Sequence, residues 1–297
     1  MHPDQRSRPA NAPSSTAAPT TRERVLARLR CPVCAEPLQA AEHDLRCPAG
    51  HSFNIARQGY FGLLSGFKAT SGDDAAMALA RDAFLASGAY APLAAEVAAQ
   101  AAAVIGPAAD PFIVEAGCGT GYYLAKALER IPPATGFGFD TGVRGLRLAP
   151  HPHPRAAVGS WDVYRPFPLA KACADVVLDV FSPRNPAEFR RVLGPTGGVV
   201  IARPTAQHLR QLRAEVVDMV HIDPAKEARL HRAFDSDFTE THSTTVEFDI
   251  HPDLDQARAL VAMTPSARHL DPATLTAAQV PEVITASVIV STWRPRG

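Results

Sequence analysis

The stretch PFIVEAGCGTGYYLAKALERI, residues 111–131, passes from a short apolar run through a glycine-rich turn into a helical pattern. Phe112 to Val114 predict a β-strand, and Glu115 stands at its end. Gly117, Gly119 and Gly121 then alternate along the turn. Glycines there let the backbone leave a strand sharply and approach a ligand where a Cβ would clash. Strand, turn and helix make the first half of a ligand-binding βαβ unit.

Working outward, GFGFD (136–140) predicts a second strand ending in Asp140, nineteen residues after Gly121. An acid at that distance accepts hydrogen bonds from ribose hydroxyls; its other reading is a helix N-cap. AAVGSWD, ending at Asp162, predicts a third strand, with Asp162 near the place of an adenine contact. ADVVLDVFSP (174–183) predicts a fourth, and NPAEFRRVLGPTGGVVIAR a short helix, a glycine turn and a fifth. VITASVIVSTW supplies a last strand. Alternating strands and helices of this kind build a doubly wound α/β sheet, whose ligands sit outside the carboxyl ends of its strands. The GxGxG spacing behind an acid resembles the cofactor loop of S-adenosylmethionine-dependent methyltransferases rather than the GxGxxG of dinucleotide binders.

Upstream, CPVCAEPLQAAEHDLRCPAGH (31–51) carries Cys31 and Cys34, then Cys47 and His51. Two local pairs of thiolate and imidazole donors close a tetrahedron around Zn²⁺ and leave no position for water, which predicts a structural ion. A redox CxxC needs a strand before it and a helix after it, whereas here Pro37 and a second pair follow. Leu38 and Leu45 are expected to pack below the metal, with His43 at the surface. A module of roughly forty residues has too little core to fold alone, so the ion supplies much of its stability.

Between the two parts, residues 71–106 are alanine-rich with helical spacing, and Pro92 marks the start of a second helix. Of the 297 residues, 46% are hydrophobic and 20% charged, as in an ordinary globular protein. No window approaches a membrane-spanning apolar length, and residues 1–20 lack the apolar centre of a secretory signal, reading instead as a disordered tail. Formal net charge is zero, but residues 1–70 carry nine Lys or Arg against five Asp or Glu, so a polyanion would meet this part. Arg22, Arg24, Arg28, Arg30, Arg46 and Arg57 are the candidate phosphate contacts. Five cysteines, with Cys118 and Cys173 isolated, suit a reducing cytoplasm rather than a disulfide framework.

With both parts in view, the chain resembles the bacterial large-subunit rRNA guanine-N1 methyltransferases, especially the branch associated with macrolide resistance. LRCPVC…LRCPAGHSFNIARQGYFGLL is similar to that family's zinc domain, ARDAFLASGAYAPL to its linking helix, GCGTGYY to its cofactor loop, and DVFSPRNPAEFRRVL and VAMTPSARH to later motifs. The resemblance implies a Rossmann-like class I domain behind a small zinc-binding domain, often as a homodimer, acting in the cytoplasm on a hairpin in domain II of 23S rRNA and no membrane. The implied division is a tail (1–20), a zinc-binding RNA-recognition domain (21–66), linking helices (67–106) and the methyltransferase domain (107–297). Cys31, Cys34, Cys47 and His51 inherit the metal. Glu115, Gly117, Gly119, Gly121, Tyr122, Asp140 and Asp162 are the expected S-adenosylmethionine contacts. The chain departs from the family in GSWDVYRPFPL, which has extra residues around Asp162, and in GPTGG for the commoner KPGG.

Methylating guanine N1 requires removing a proton held well above neutral pH, so a base or a donor at O6 is needed. Asp179, accepting the proton through water, Arg184, polarising O6, and Asn185 are the expected catalytic residues. Asn185 also reads as a helix start before Pro186, and Asp179 as a solvent-facing acid. The alternatives are a small-molecule methyltransferase with a merely structural zinc module, and a non-catalytic RNA-binding factor.

Overall fold

The computed structural model describes residues 19–64, 72–148, 151–216, 219 and 225–297, so all but the last two residues of the predicted tail lie outside the described residues. Thr20 starts α1 (Thr21–Arg28) with a reciprocal cap: its hydroxyl accepts the Glu23 N–H while Glu23 accepts the Thr20 N–H. A small antiparallel sheet follows, made of β1 (Gln39–Ala40), β2 (Asp44–Arg46) and β3 (Ser52–Asn54). The alanine-rich segment forms α2 (Ala75–Ala86) and α3 (Ala91–Ile105), with Pro92 in the first turn of α3 as expected. No single described helix is long and apolar enough to cross a membrane.

The remainder runs β4 (Phe112–Ala116), α4 (Tyr122–Arg130), β5 (Thr135–Asp140), α5 (Val143–Leu148), β6 (Ala156–Ser160), β7 (Ala174–Val180), α6 (Pro186–Val192), β8 (Leu193–Pro204), α7 (Arg210–Glu215), α8 (Lys226–Phe234), β9 (Phe238–Ile250), α9 (Leu254–Ala262) and β10 (Ile284–Pro295). Among the described residues these strands form one seven-stranded sheet in the order β6-β5-β4-β7-β8-β10-β9. The first five are parallel; β10 runs antiparallel to β8, and β9 antiparallel to β10. This is the predicted doubly wound α/β sheet, closed by an antiparallel edge. The edge strand β9 is not among the elements expected from the sequence, nor are α5, α7, α8 and α9.

From β4 the chain moves outward to β5 and β6 on one side, then crosses back to β7 and on to β8 on the other. That reversal opens a crevice at the carboxyl ends of these strands. Every residue of β4 is buried, as a central parallel strand requires.

The two faces of the sheet are covered differently. Ile113, Val176, Leu178 and Val200 pack under α3 and α4. Phe112, Val114, Phe137 and Phe139, on the other face, share a core with Val25 of α1, with Leu29 just after it, and with Leu38, Leu45, Phe53, Phe61 and Leu63 of the cysteine-bearing segment. That segment is stitched on through the backbone: Phe61 N–H donates to Val158 at 2.9 Å, Ser160 N–H donates to Phe61 at 2.8 Å, and Arg30 N–H donates to Pro168 at 2.9 Å. Doubly wound sheets usually bury that face under helices; here a metal-bearing module takes part of that place.

Candidate functional site

The two metal-ligand pairs are built by tight turns. After Cys31, Ala35 adopts φ 61° and donates its N–H back to the Cys31 carbonyl, which swings Cys34 round. After Cys47, Gly50 adopts φ 86° and donates to the Cys47 carbonyl, which does the same for His51. The four donor atoms all lie within 4.8 Å of one another. Cys34 Sγ is 3.6 Å from Cys47 Sγ, Cys31 Sγ is 3.6 Å from His51 Nδ1, and Cys47 Sγ is 3.3 Å from the same nitrogen. A zinc tetrahedron has donor–donor edges of about 3.5 to 3.8 Å, so three thiols and an imidazole stand where the ion needs them. Leu38 and Leu45 are buried below, and His43 is exposed, as the sequence implies.

The second centre is a cavity of about 650 Å³ over the carboxyl ends of β4, β5, β6, β7 and β8. Glu115, Gly117, Gly119, Tyr122, Asp140 and Asp162 line it; Gly121 stands just behind as the left-handed N-cap of α4. Gly117 and Gly119 have φ of 71° and 54°, and a Cβ on Gly117 would collide with the Ser182 hydroxyl. The turn therefore needs glycine for its handedness and for its approach to the end of β7. Asp140 braces it: one carboxylate oxygen accepts the Gly119 N–H at 2.9 Å and the other accepts the Gly142 N–H at 2.6 Å. Gly121 has no side chain to cap α4, and Glu115 supplies the acceptor from the neighbouring strand, taking the Leu124 N–H at 3.1 Å. Asp162 holds the start of the next loop through the Tyr164 N–H at 3.0 Å.

The expected catalytic trio lies elsewhere. Asp179 is fully buried in β7 and pairs with Arg184 at 3.4 Å, and neither side chain lines the cavity. The pair spans the turn Phe181–Pro183 from below, because alternation along β7 points position 179 away from the crevice. Asn185 is the N-cap of α6: it accepts the Glu188 N–H at 3.3 Å and donates to the Val163 carbonyl at 2.9 Å. Its second reading, as a helix start, describes its place.

Other residues occupy the β7 and β8 side of the cavity. Tyr90, at the start of α3, and His208, after β8, line it and meet at 3.3 Å between the hydroxyl and Nε2. The Ser287 N–H donates to His208 Nδ1 at 3.2 Å, so Nε2 carries the proton and donates to Tyr90. Arg81 reaches over the glycine turn, bonded to Asp73 at 2.8 Å and to the Met263 carbonyl at 3.0 Å. Of the six proposed phosphate-binding arginines, Arg24 and Arg28 both pair with Asp110, Arg46 pairs with Asp44, and Arg30 donates to the Ala27 and Leu29 carbonyls. Two acids thus tie down three of these arginines, and the backbone holds Arg30, so these four are less available to a phosphate chain.

Comparison with known proteins adds a lineage to this geometry. Residues 29–67 match the RlmA N-terminal zinc-ribbon family. A 23S rRNA (guanine(748)-N(1))-methyltransferase of Streptomyces fradiae is 37% identical over 278 residues, covering 92% of this chain and 99% of its own. A Micromonospora griseorubida protein with a provisional 23S rRNA (guanine-N1)-methyltransferase name is 41% identical over 291 residues, covering 91% of this chain and 98% of its own. The chain belongs to the 23S rRNA (guanine-N1)-methyltransferase family. Among solved structures, a methyltransferase of Geobacter sulfurreducens in complex with S-adenosylhomocysteine aligns with TM-score 0.42 and 17% identity, covering 68% of this chain and 91% of its own.

In this member of the guanine-N1 methyltransferase family, burial also retunes the cavity's ionisable groups. Desolvation pushes the Glu115 carboxyl up to about 8, against the opposing pull of the Leu124 N–H, and the Asp140 charge adds to the rise. Burial pulls His208 down to about 4, which keeps it neutral. A carboxyl with a raised folded-state pKa keeps a proton that the unfolded chain releases. Stability therefore falls as pH rises from about 4.5 towards 8, by up to about 1.4 kcal/mol per unit. Glu115→Gln removes this slope. Melting temperatures of the ligand-free protein and the variant should converge at acid pH and separate in the variant's favour towards pH 8; parallel curves would rule out a proton on Glu115.

Proposed function

We propose that this chain transfers the methyl group of S-adenosylmethionine to N1 of a guanine in a domain II hairpin of 23S rRNA, at the guanine 748 named for the Streptomyces fradiae relative, and so contributes to macrolide resistance. The observation that carries the reading is a glycine-turn cavity and a zinc ribbon in one chain that aligns, almost end to end, with named 23S rRNA guanine-N1 methyltransferases. The cofactor's sulfonium supplies the electrophilic methyl, so the protein's own work is alignment and exclusion of water. Asp162, Asp140 and the glycine turn make an arc over β6, β5 and β4 that suits adenine, ribose and the amino-acid part in that order. The Asp179–Arg184 pair acts from beneath, as a brace for the turn Phe181–Pro183. Asn185 ties that brace to the loop after Asp162.

For the RNA backbone, the reading shifts away from α1. Arg57 is exposed beside Ala56, and Arg144 and Arg147 are exposed on α5. Ala56 and Val143 pack on the same small cluster of Tyr60, Cys118, Leu146 and Val158, next to the cofactor turn. Among the described residues none of these three arginines forms an ion pair with an acid. They form the ridge we assign to phosphates, which would let the zinc segment and α5 hold one folded RNA by shape and charge.

Primer extension on 23S rRNA incubated with the protein and S-adenosylmethionine tests the activity. N1 methylation blocks the pairing edge, so a new stop is expected beside the target guanine. Absence of a stop on naked rRNA and on ribosomal particles, with cofactor binding intact by calorimetry, would favour the small-molecule alternative.

A further inference from the structure

Phe181 is the residue of the cavity that the fold treats most oddly. It follows β7 directly, has φ 54°, and is held there by its own N–H donating to Ala202 at 3.0 Å. A bulky side chain in the left-handed region is strained, and such strain persists only where the surroundings over-determine it. The conformation does not serve to bury the ring. Phe181 is 36% exposed, one of the exposed large hydrophobic residues of the described chain, although it lines a cavity.

Among the described residues, the aromatic partners of the ring stand together on one side of it. Behind it stand Tyr90, at a centroid distance of 6.4 Å, and His208, at 5.8 Å with the planes tilted by 34°. Those two are buried, bonded to each other and anchored to the Ser287 backbone, so the support is rigid. The exposed part of the ring lines the cavity at the end of β7. The cofactor arc lies over β4, β5 and β6, on the other side of the crevice. A planar aromatic group with a braced back and a solvent-facing front, across from the cofactor turn, has the form of a stacking platform.

We infer that Phe181 stacks on the flipped target base and sets its approach to the methyl group, making it a substrate-contacting residue for the reaction proposed above, on which this inference rests. A purine extruded from an RNA hairpin loses its stacking neighbours, and enzymes that act on such a base replace them with aromatic side chains. Ser182, next in the turn, stands against Gly117, so the base held by Phe181 lies next to the cofactor turn. The strained φ aims the ring: in an ordinary extended conformation position 181 would continue the β7 alternation and turn elsewhere.

The test compares Phe181→Tyr, Phe181→Leu and Phe181→Ala with the wild-type chain. Two readouts are taken, S-adenosylmethionine affinity by calorimetry and kcat/KM on the isolated hairpin. Base–aromatic stacking predicts an about 10- to 100-fold loss of kcat/KM in the Leu and Ala variants, near-complete recovery in Tyr, and cofactor affinity within about twofold throughout. The aliphatic variant separates stacking from volume, and retained cofactor binding shows that each variant is folded. Leu as active as Phe, or cofactor affinity falling in step with activity, overturns the platform. A wild-type chain inactive on RNA overturns the proposed function instead, so the two failures are distinct. If the Ala variant does not fold, the Leu and Tyr pair decides alone.

Discussion

Replacing Cys47 by serine is expected to unfold more than the zinc ribbon. Four donors within 4.8 Å of one another hold the turns that position Leu38, Leu45 and Phe53. Those side chains do not form a private core; they share one with Phe112, Val114, Phe137 and Phe139 of the large sheet. Phe61 further bridges to Gly159, so the segment leaving the ribbon touches the edge strand β6. Removing a ligand releases the ribbon and uncovers one face of β4 and β5, the strands that carry Glu115 and Asp140. A loss of about 4 kcal/mol, a modest part of the roughly 10 to 16 kcal/mol that structural zinc contributes, lowers melting by on the order of 10 °C in a chain of this size. The whole-chain circular dichroism melt of Cys47→Ser should shift as a single transition, and chelation of the wild-type ion should reproduce it. S-adenosylmethionine affinity should fall with it. A biphasic melt whose upper transition stays at the wild-type temperature, with unchanged cofactor affinity, would show that the ribbon is an independent attachment.

That coupling is one of the things the sequence conceals. The four metal ligands are legible because each pair is local, with two or three residues between its members, and chemistry alone relates them. The strands β4 to β8 are legible because parallel strands buried on both faces read as apolar runs, and the glycine turn punctuates them. Phe53, Phe61 and Leu63 carry no such signal. They lie in a non-periodic stretch, and their partners Phe137 and Phe139 are reached only through the fold. The edge strand β9 escapes for another reason: Thr239, Glu240, His242 and Ser243 make its first half polar, since one neighbour and solvent suffice to satisfy it. Tyr90 and His208 meet across 118 residues, and no spacing rule joins them. Asp179 and Arg184 attract attention in the sequence because they are charged near the end of a strand. Strand alternation sends the acid behind the turn, whereas Phe181 in front depends on a φ that its residue type does not suggest.

Asp140 offers the sharpest separation of two roles that the same residue type serves. If the carboxylate only accepted ribose hydroxyls, an amide oxygen would do part of that work, and Asp140→Asn would bind S-adenosylmethionine nearly as well as the wild type. The geometry asks for more. Both oxygens take backbone N–H groups, from Gly119 at 2.9 Å and from Gly142 at 2.6 Å, and these bonds join the glycine turn to the loop after β5. An amide presents one acceptor and one donor, and the donor would face an N–H. Asn therefore loses one bond and creates a donor–donor contact, while Ala loses both bonds and leaves room for water. Burial already raises the Asp140 carboxyl above its ordinary range, with the two N–H groups opposing that rise, so the charge is held at a cost that its partners offset. Bonds to a charged group contribute about 1.5 to 3 kcal/mol each, so loss of the clamp weakens cofactor binding on the order of 100-fold in either variant. Calorimetric titration with S-adenosylmethionine checks this directly. Asn and Ala should be alike, and both should lower the melting temperature of the ligand-free protein, because the clamp exists without ligand. An Asn variant close to wild type in affinity and melting would return Asp140 to a plain ribose contact and leave the shape of the turn to its glycines.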